Sequence, residues 1–327
     1  MTFFLKTNLW MIIATTILFV VAIILHWRVP KREDTHPFFK NQRWNILDAT
    51  LILIVADIFI FLDRIIVGLF LESKHTAFVT LIVSVLRSVL YGPMLLVAFW
   101  LFFHFKFRQS LMVLGISSHE WMRKVIAGLK WGILIPMWTF FVLFLLPVER
   151  ASLLLKEKTL GHSEFNAYIS YFGLPVAILL VVFYIVFMVT LEEVLHRGIY
   201  YSVLRKSINS VPAISISSVV FMLSHNRFNL GLLVLGCVCA YLYEKFHSLI
   251  PSITVHFTVN LFSYSLATLA SSTTSSFSRF LNIGLGLSIV LLLITWTFSF
   301  YLDRRTLNTQ KNNIVSGLFS CHLVILL

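Results

Sequence analysis

The chain is cut into long blocks of apolar residues, most of them close to the roughly 20 residues that an α-helix needs to cross a bilayer. The blocks run near Leu9–Leu25, Ile46–Leu71, Ala77–Phe103, Trp131–Leu146, Gly173–Leu191, Val211–Leu223, Leu230–Tyr243, Leu249–Ala270 and Phe280–Phe300. A bilayer offers no partner to the N–H and C=O groups of an open strand edge, so such segments cross as helices. A transmembrane barrel would alternate apolar and polar residues, and these blocks do not. The pattern predicts an all-α, polytopic membrane helix bundle with eight or nine transmembrane helices. Composition agrees: 58% of the 327 residues are hydrophobic, 12% are charged, and the mean hydropathy is +0.89. A soluble domain carries about 25% charged residues.

A formal net charge of +12 would fit a nucleic-acid partner if the basic residues formed one patch. They lie instead in short loops beside the apolar blocks, where they report topology. Arg28, Lys31, Lys106, Arg108, Arg205, Lys206, Lys245 and Arg304 fall on one side of the alternation, with fewer, such as Lys74, Arg150 and Arg279, on the other. This places the amino terminus outside and the carboxyl terminus inside a cell membrane, with no nucleic-acid partner. Cys237, Cys239 and Cys321 form neither a disulfide framework nor a zinc ribbon. The first block lacks a small-residue cleavage site and reads as a retained helix. The segment Lys106–Lys130 reads as an interfacial connector, with a short amphipathic helix starting after Ser117-Ser118-His119-Glu120. Three regions follow from the content: amino-terminal helices over 1–170, a region of polar residues on apolar helices over 171–270, and a final helix and tail over 271–327.

Ionisable residues at membrane depth cost about 2.5–3.5 kcal/mol each on insertion scales, so they point to function. The first cluster is Thr190-Leu191-Glu192-Glu193-Val194-Leu195-His196-Arg197. Glu193 and Arg197 are four apart and can pair on one helix face, while Glu192 points about 100° away. One carboxylate is then neutralised and the other left available as a base; a plain ion-pair cluster at the helix end is the alternative. The second cluster ends Phe221-Met222-Leu223-Ser224-His225, and the third holds His256 and Asn260, four apart on one face. Each histidine alone would pass as a packing residue. Together, the set suits water activation by Glu and His, with His and Asn stabilising an oxyanion. Glu192 and His225 are equally spaced about the Ile208–Asn209 turn, so an antiparallel helix pair sets them at one depth if the first helix continues toward Arg205. His256 lies only a few residues into its block, and a tilt, a kink or an interfacial segment must close the difference.

These residues resemble the CAAX-protease and bacteriocin-processing family, also called Abi, whose pattern is Glu-Glu-x-x-x-Arg, then Phe-x-x-x-His, then His-x-x-x-Asn. All three occur here in order, as Glu192-Glu193…Arg197, Phe221…His225 and His256…Asn260. The resemblance covers about residues 175–265 and includes Gly236, Tyr243-Glu244-Lys245 and Ser248-Leu249-Ile250-Pro251. His196 departs from the aromatic the family usually carries there; it either pairs with a neighbouring glutamate or is a tolerated ring.

The resemblance implies an intramembrane endopeptidase acting on a bacteriocin leader, a lipidated peptide or another membrane protein. Glu192 would be the base with His225 beside it, His256 and Asn260 the oxyanion donors, and Glu193 and Arg197 supporting residues. No metal is required by this reading; a zinc ion, if one binds, would use Glu192, His225 and His256. No His-Glu-x-x-His occurs on any helix. Two other classes fit the helices: a non-catalytic immunity factor or scaffold, and a carrier, for which Asp57, Asp63, Arg64 and Arg87 would be the buried charges. A carrier expects matching helix breaks in two repeated halves, and Gly92-Pro93 has no counterpart.

Overall fold

The computed structural model describes residues 36–56, 92–116, 120–145, 171–225 and 229–270, with 58–59, 85–86, 289–290, 293–294 and 297 besides. The described residues are helical or irregular, with no strand among them. The blocks at Leu9–Leu25 and most of Phe280–Phe300 lie outside them, as do Cys321, Asp57, Asp63, Arg64, Arg87 and the stretches Val148–Tyr168 and Ser271–Ser278.

Two short elements lead in. Helix α1 (Pro37–Lys40) is capped by His36, whose ring Nδ1 accepts from the Phe38 amide. Helix α2 (Ile46–Ala56) starts at Asn45, whose side chain accepts from the amides of Leu47 and Asp48 while Asp48 accepts from the Asn45 amide. That reciprocal pattern satisfies the free donors of a helix start. Helix α3 (Gly92–Phe102) runs into a wide π turn, Phe103–Phe107. A 3-10 turn, Leu111–Leu114, and the left-handed Gly115 follow.

The connector expected over Lys106–Lys130 is only partly present. Residues from Trp121 onward join the block that follows, giving one helix, α4 (Trp121–Leu145), that contains Pro136. No separate amphipathic helix forms there, because the apolar positions at Val125, Ile126 and Leu129 carry straight on into the block.

The central element is a continuous helical run, Leu174–Ser207, 34 residues long, and it is long and apolar enough to cross a membrane. Only 22% of its most apolar window is buried, so its flanks present apolar side chains outward, as lipid requires and water would not favour. The run comprises α5 (Leu174–Glu193), a π-helical segment (Val194–Tyr201) and α6 (Ser202–Ser207). The continuation past Glu192 that the sequence demanded is therefore present. All eight residues of the π segment are buried, although they include His196, Arg197 and two tyrosines.

Around this core pack α7 (Ser210–Ser224), α8 (Leu230–Phe246) and α9 (Leu249–Ala270). α8 is started by Asn229, whose side chain accepts from the amides of Gly231 and Leu232. α4 lies along α9 at close range because Gly128 and Gly132 face Thr254 and Thr258: a Cβ on Gly128 would stand 2.6 Å from the Thr254 Cβ and 2.7 Å from the Pro251 carbonyl, and one on Gly132 would stand 2.7 Å from the Thr258 Cβ. Four-residue spacing of small residues is how membrane helices approach when no hydrophobic force draws them together. Gly236 plays the same part between α8 and α7, with Ser218 3.0 Å from where its Cβ would be.

Gly128→Leu is expected to push α4 off α9 and lower the unfolding temperature in detergent, by the equivalent of about 1–3 kcal/mol for overpacking. Gly231→Ala, where the added Cβ meets only the Asn229 side chain at 3.1 Å, should change it little. Equal melting of the two variants would show that the α4–α9 contact is not tight.

Candidate active site

The structure brings Glu192, Glu193, Arg197, His225 and His256 to one place. Glu193 and Arg197 stand on the inner face of the central run and are fully buried, with side chains 0% and 1% exposed. Glu193 Oε1 accepts from Arg197 Nη1 at 2.9 Å and from His256 Nδ1 at 2.8 Å. Arg197 Nη2 donates to the Gly236 carbonyl at 3.2 Å, and its guanidinium lies 4.3 Å from the Phe221 ring centre. The arginine is thus held by one carboxylate, one carbonyl and one aromatic face, each from a different helix.

Glu192 turns away from this pair, as the helix pitch required, and its side chain is 25% exposed. Its Oε2 lies 3.5 Å from His256 Nε2 and 3.9 Å from His225 Nε2. The longer separation is beyond a direct hydrogen bond and suits a bridging water. His225 terminates α7, and its Nδ1 donates to the Phe221 carbonyl at 2.9 Å.

The ring states follow from the partners. A carbonyl and a carboxylate ion only accept, so Nδ1 carries the proton in both histidines. In its neutral form each ring would aim the Nε2 lone pair toward the Glu192 carboxylate. Three acceptors facing one another repel, and a proton or a water between them removes the conflict.

The depth of His256 has a local cause. α9 begins inside the bundle: Ser248, Leu249 and Ser252 are 0% exposed, beneath the turn at Leu111–Gly115. Ser248 Oγ donates to the Gly115 carbonyl at 2.6 Å. A position seven residues into α9 therefore already lies level with Glu192. Asn260 follows one turn later on the same face, half-buried, and makes no side-chain hydrogen bond among the described residues.

His196 is buried and pairs with neither glutamate. Its ring packs edge-on against Phe221 at 5.1 Å, and its Nδ1 has no hydrogen-bond partner among the described residues. His225 and His256 meet the same phenylalanine at 4.8 and 5.5 Å. Of the two readings open for this residue, the structure shows the packed ring. Phe221 and Gly236 emerge as site residues that hold the others through a ring face and two backbone carbonyls; the motif spacing marked Phe221, and only the close approach of α7 and α8 exposes the part Gly236 plays.

A family model described as type II CAAX prenyl endopeptidase Rce1-like matches residues 174–262. This segment is similar to that family. The match begins at the first residue of α5 and ends inside α9, so it spans every residue of the polar cluster. It covers a little over a quarter of the chain and belongs to a protease family that is embedded in membranes. No curated protein and no solved structure matches.

Among the described residues, no group of three His, Cys, Asp or Glu side chains is arranged to hold a metal ion. The set closest to one, Glu192, His225 and His256, is opened by the 3.9 Å separation at His225; bonds of about 2.0–2.1 Å in a tetrahedron place ligands nearer 3.3 Å apart.

Glu193→Gln is expected to reduce folded yield sharply, since Arg197 and His256 lose their shared anion; breaking a buried pair costs about 3–5 kcal/mol. Arg197→Met should be the milder change if the remaining Glu193–His256 contact persists. His196→Phe keeps the ring contact with Phe221 and removes an unpartnered nitrogen, which is worth about 1–3 kcal/mol. Its expected result is a higher unfolding temperature in detergent, and a lower one would mean that the nitrogen has a partner in solution.

Proposed function

We propose that the protein is an intramembrane endopeptidase in which Glu192 activates water. The observation that carries this reading is the unequal treatment of two adjacent carboxylates. Glu193 is buried and shared between Arg197 and His256, whereas Glu192 is partly exposed and faces two histidine nitrogens without a direct partner. The first arrangement builds the site; the second leaves a base free to take and return a proton.

The steps follow from the ring states. A water between Glu192 and His225 donates one hydrogen to the carboxylate and the other to the His225 Nε2 lone pair. Glu192 removes the proton as the water oxygen attacks the scissile carbonyl. The charge that develops on the carbonyl oxygen needs donors, and His256 can donate from Nε2 only when it also keeps the proton on Nδ1. It is then an imidazolium, held by the Glu193 carboxylate 2.8 Å away. Glu192 and Glu193 with Arg197 and a charged His256 sum to zero, which a buried site tolerates. The Asn260 amide is the second donor; one such donor is worth about 2.7–4 kcal/mol in transition-state stabilisation. Glu192 finally passes its proton to the departing amine.

Metal-free chemistry is part of this proposal, and the donor set is the reason. A zinc held by Glu192, His225 and His256 would use up the carboxylate of this cluster that is not bonded to Arg197. Glu193, bonded to Arg197 and His256, is no substitute base.

The substrate is proposed as a peptide whose cleaved bond lies at membrane depth, with a lipidated carboxyl-terminal peptide first and a bacteriocin leader second. The Rce1-like match over 174–262 favours the lipidated peptide.

The test is a cleavage assay on purified protein in detergent, with a farnesylated CaaX peptide and a leader peptide as substrates. Glu192→Gln should fold normally and lose cleavage by several orders of magnitude, because an amide cannot serve as a base. Undiminished cleavage by that variant would remove the base. Absence of cleavage of any peptide by the wild type would favour a scaffold role. Activity is expected to survive exhaustive chelation. Loss on chelation with recovery on stoichiometric zinc would turn Glu192, His225 and His256 into ligands.

A further inference from the structure

We propose that His36 and His247 form a pH-sensitive latch that fastens the segment 36–44 across the ends of the helices carrying the polar cluster. The two rings stack face to face, with centroids 4.0 Å apart and planes 11° from parallel. They come from distant places: His36 caps α1, and His247 ends α8 in the left-handed conformation, its amide donating to the Tyr243 carbonyl at 2.9 Å. The stack closes over an aromatic cluster in which Phe38 and Phe39 meet His247 at 5.3 and 5.7 Å and meet Tyr243 at 5.8 and 6.0 Å.

The segment beyond the latch grips the central run. Trp44 Nε1 donates to the Ile199 carbonyl at 3.3 Å, Lys206 Nζ donates to the carbonyls of Gln42 and Trp44 at 2.7 Å, and Phe39 packs on Tyr201. One short segment thus joins the end of α8 to the π segment and α6. The stack and the α1 cap are the two contacts that His36 itself makes with this end of the segment.

Both holding contacts need neutral rings. His36 Nδ1 accepts from the Phe38 amide, and a proton on that nitrogen abolishes the cap. A charge on one ring is repelled by the other once that is charged too, and a charge on the half-buried His247 ring is also less well solvated than in water. Burial, and next His36, hold His247 below the ordinary 6.5. Among the described residues, Glu244 and Arg205 also act on it, the first favouring its charge and the second opposing it, and these two are bonded to each other at 3.0 Å. Tyr243 and Tyr201 complete the surroundings. For a base whose folded form prefers neutrality, the contribution to stability is full above the unfolded value and is lost as pH falls through the folded one. The latch is therefore closed at neutral pH and opens on acidification.

The test is hydrogen exchange of the full chain in detergent, read as protection factors so that the intrinsic pH dependence cancels. The amides of Phe39, Lys40, Asn41 and Gln42 all donate within the segment. Between about pH 7.5 and pH 5.5 their protection is expected to fall about tenfold or more in the wild type, while amides of Val255–Val259 in α9 hold theirs. In the double variant His36→Asn, His247→Asn the change should vanish: asparagine caps a helix, tolerates the left-handed conformation and does not titrate. His36→Asn alone should abolish most of it and serves if the double variant does not fold. Equal wild-type protection at both pH values, a pH response that persists in either variant, or a parallel loss in α9 would each overturn the latch. Cleavage is not read, so the outcome is independent of the role given to Glu192.

Discussion

A single carboxylate oxygen, Glu193 Oε1, receives both Arg197 and His256 at under 3 Å in a place with no solvent. The rest of the site depends on it. A lone carboxylate there would lack the water that stabilises it, and a lone guanidinium likewise. Each is kept by the other, and His256 is drawn into the same contact from a helix 63 residues on. The bond also sets the tautomer of that ring, and so determines what its far nitrogen presents to Glu192. Two adjacent, chemically identical residues acquire different duties from the pitch of one helix: Glu193 is part of the architecture and Glu192 is left partly exposed.

Polar residues normally avoid the interior of a membrane protein, and here they occupy it. The π segment Val194–Tyr201 is buried on all sides. It can be so because its neighbours approach closely wherever a side chain is missing: Gly236 admits Ser218, and Gly128 and Gly132 admit two threonines. Close approach brings backbone carbonyls within reach of buried donors, as at Gly236 for Arg197 and at Ile199 for Trp44. At Gly236 the missing side chain serves the charged residue directly, since the close approach there leaves its carbonyl within reach of Arg197.

Much of this was legible in the chain itself. Apolar block length announced the helices, and the four-residue spacing of Glu193 and Arg197 announced their pairing. The equal reach of Glu192 and His225 from the Ile208–Asn209 turn announced that they would meet. What stayed hidden depends on contacts between segments remote in sequence. Nothing in Val194-Leu195-His196-Arg197 marks a wide helical turn, and nothing in Glu193 says that His256 will share it. The depth of His256 stayed open between a tilt, a kink and an interfacial segment because the turn at Leu111–Gly115 packs on the start of α9, and no local pattern relates those two stretches. The short helix expected after Glu120 merged into α4, because amphipathic and fully apolar turns follow each other there without a breaker.

The same geometry bears on why the cluster is suited to handling a proton rather than to binding one tightly. With Nδ1 of each ring committed to a carbonyl or a carboxylate, the two Nε2 atoms and the Glu192 carboxylate form a pocket of acceptors. A water placed there finds two acceptors for its hydrogens and none of the donors that would hold its oxygen. Its lone pairs are left pointing outward, toward whatever carbonyl carbon enters the cleft. In the proposed reaction a proton on His256 Nε2 would turn an acceptor into a donor on the far side of the same pocket. The pocket would then present a nucleophile and an oxyanion donor within one small volume, and the difference between the two would be where a single proton sits.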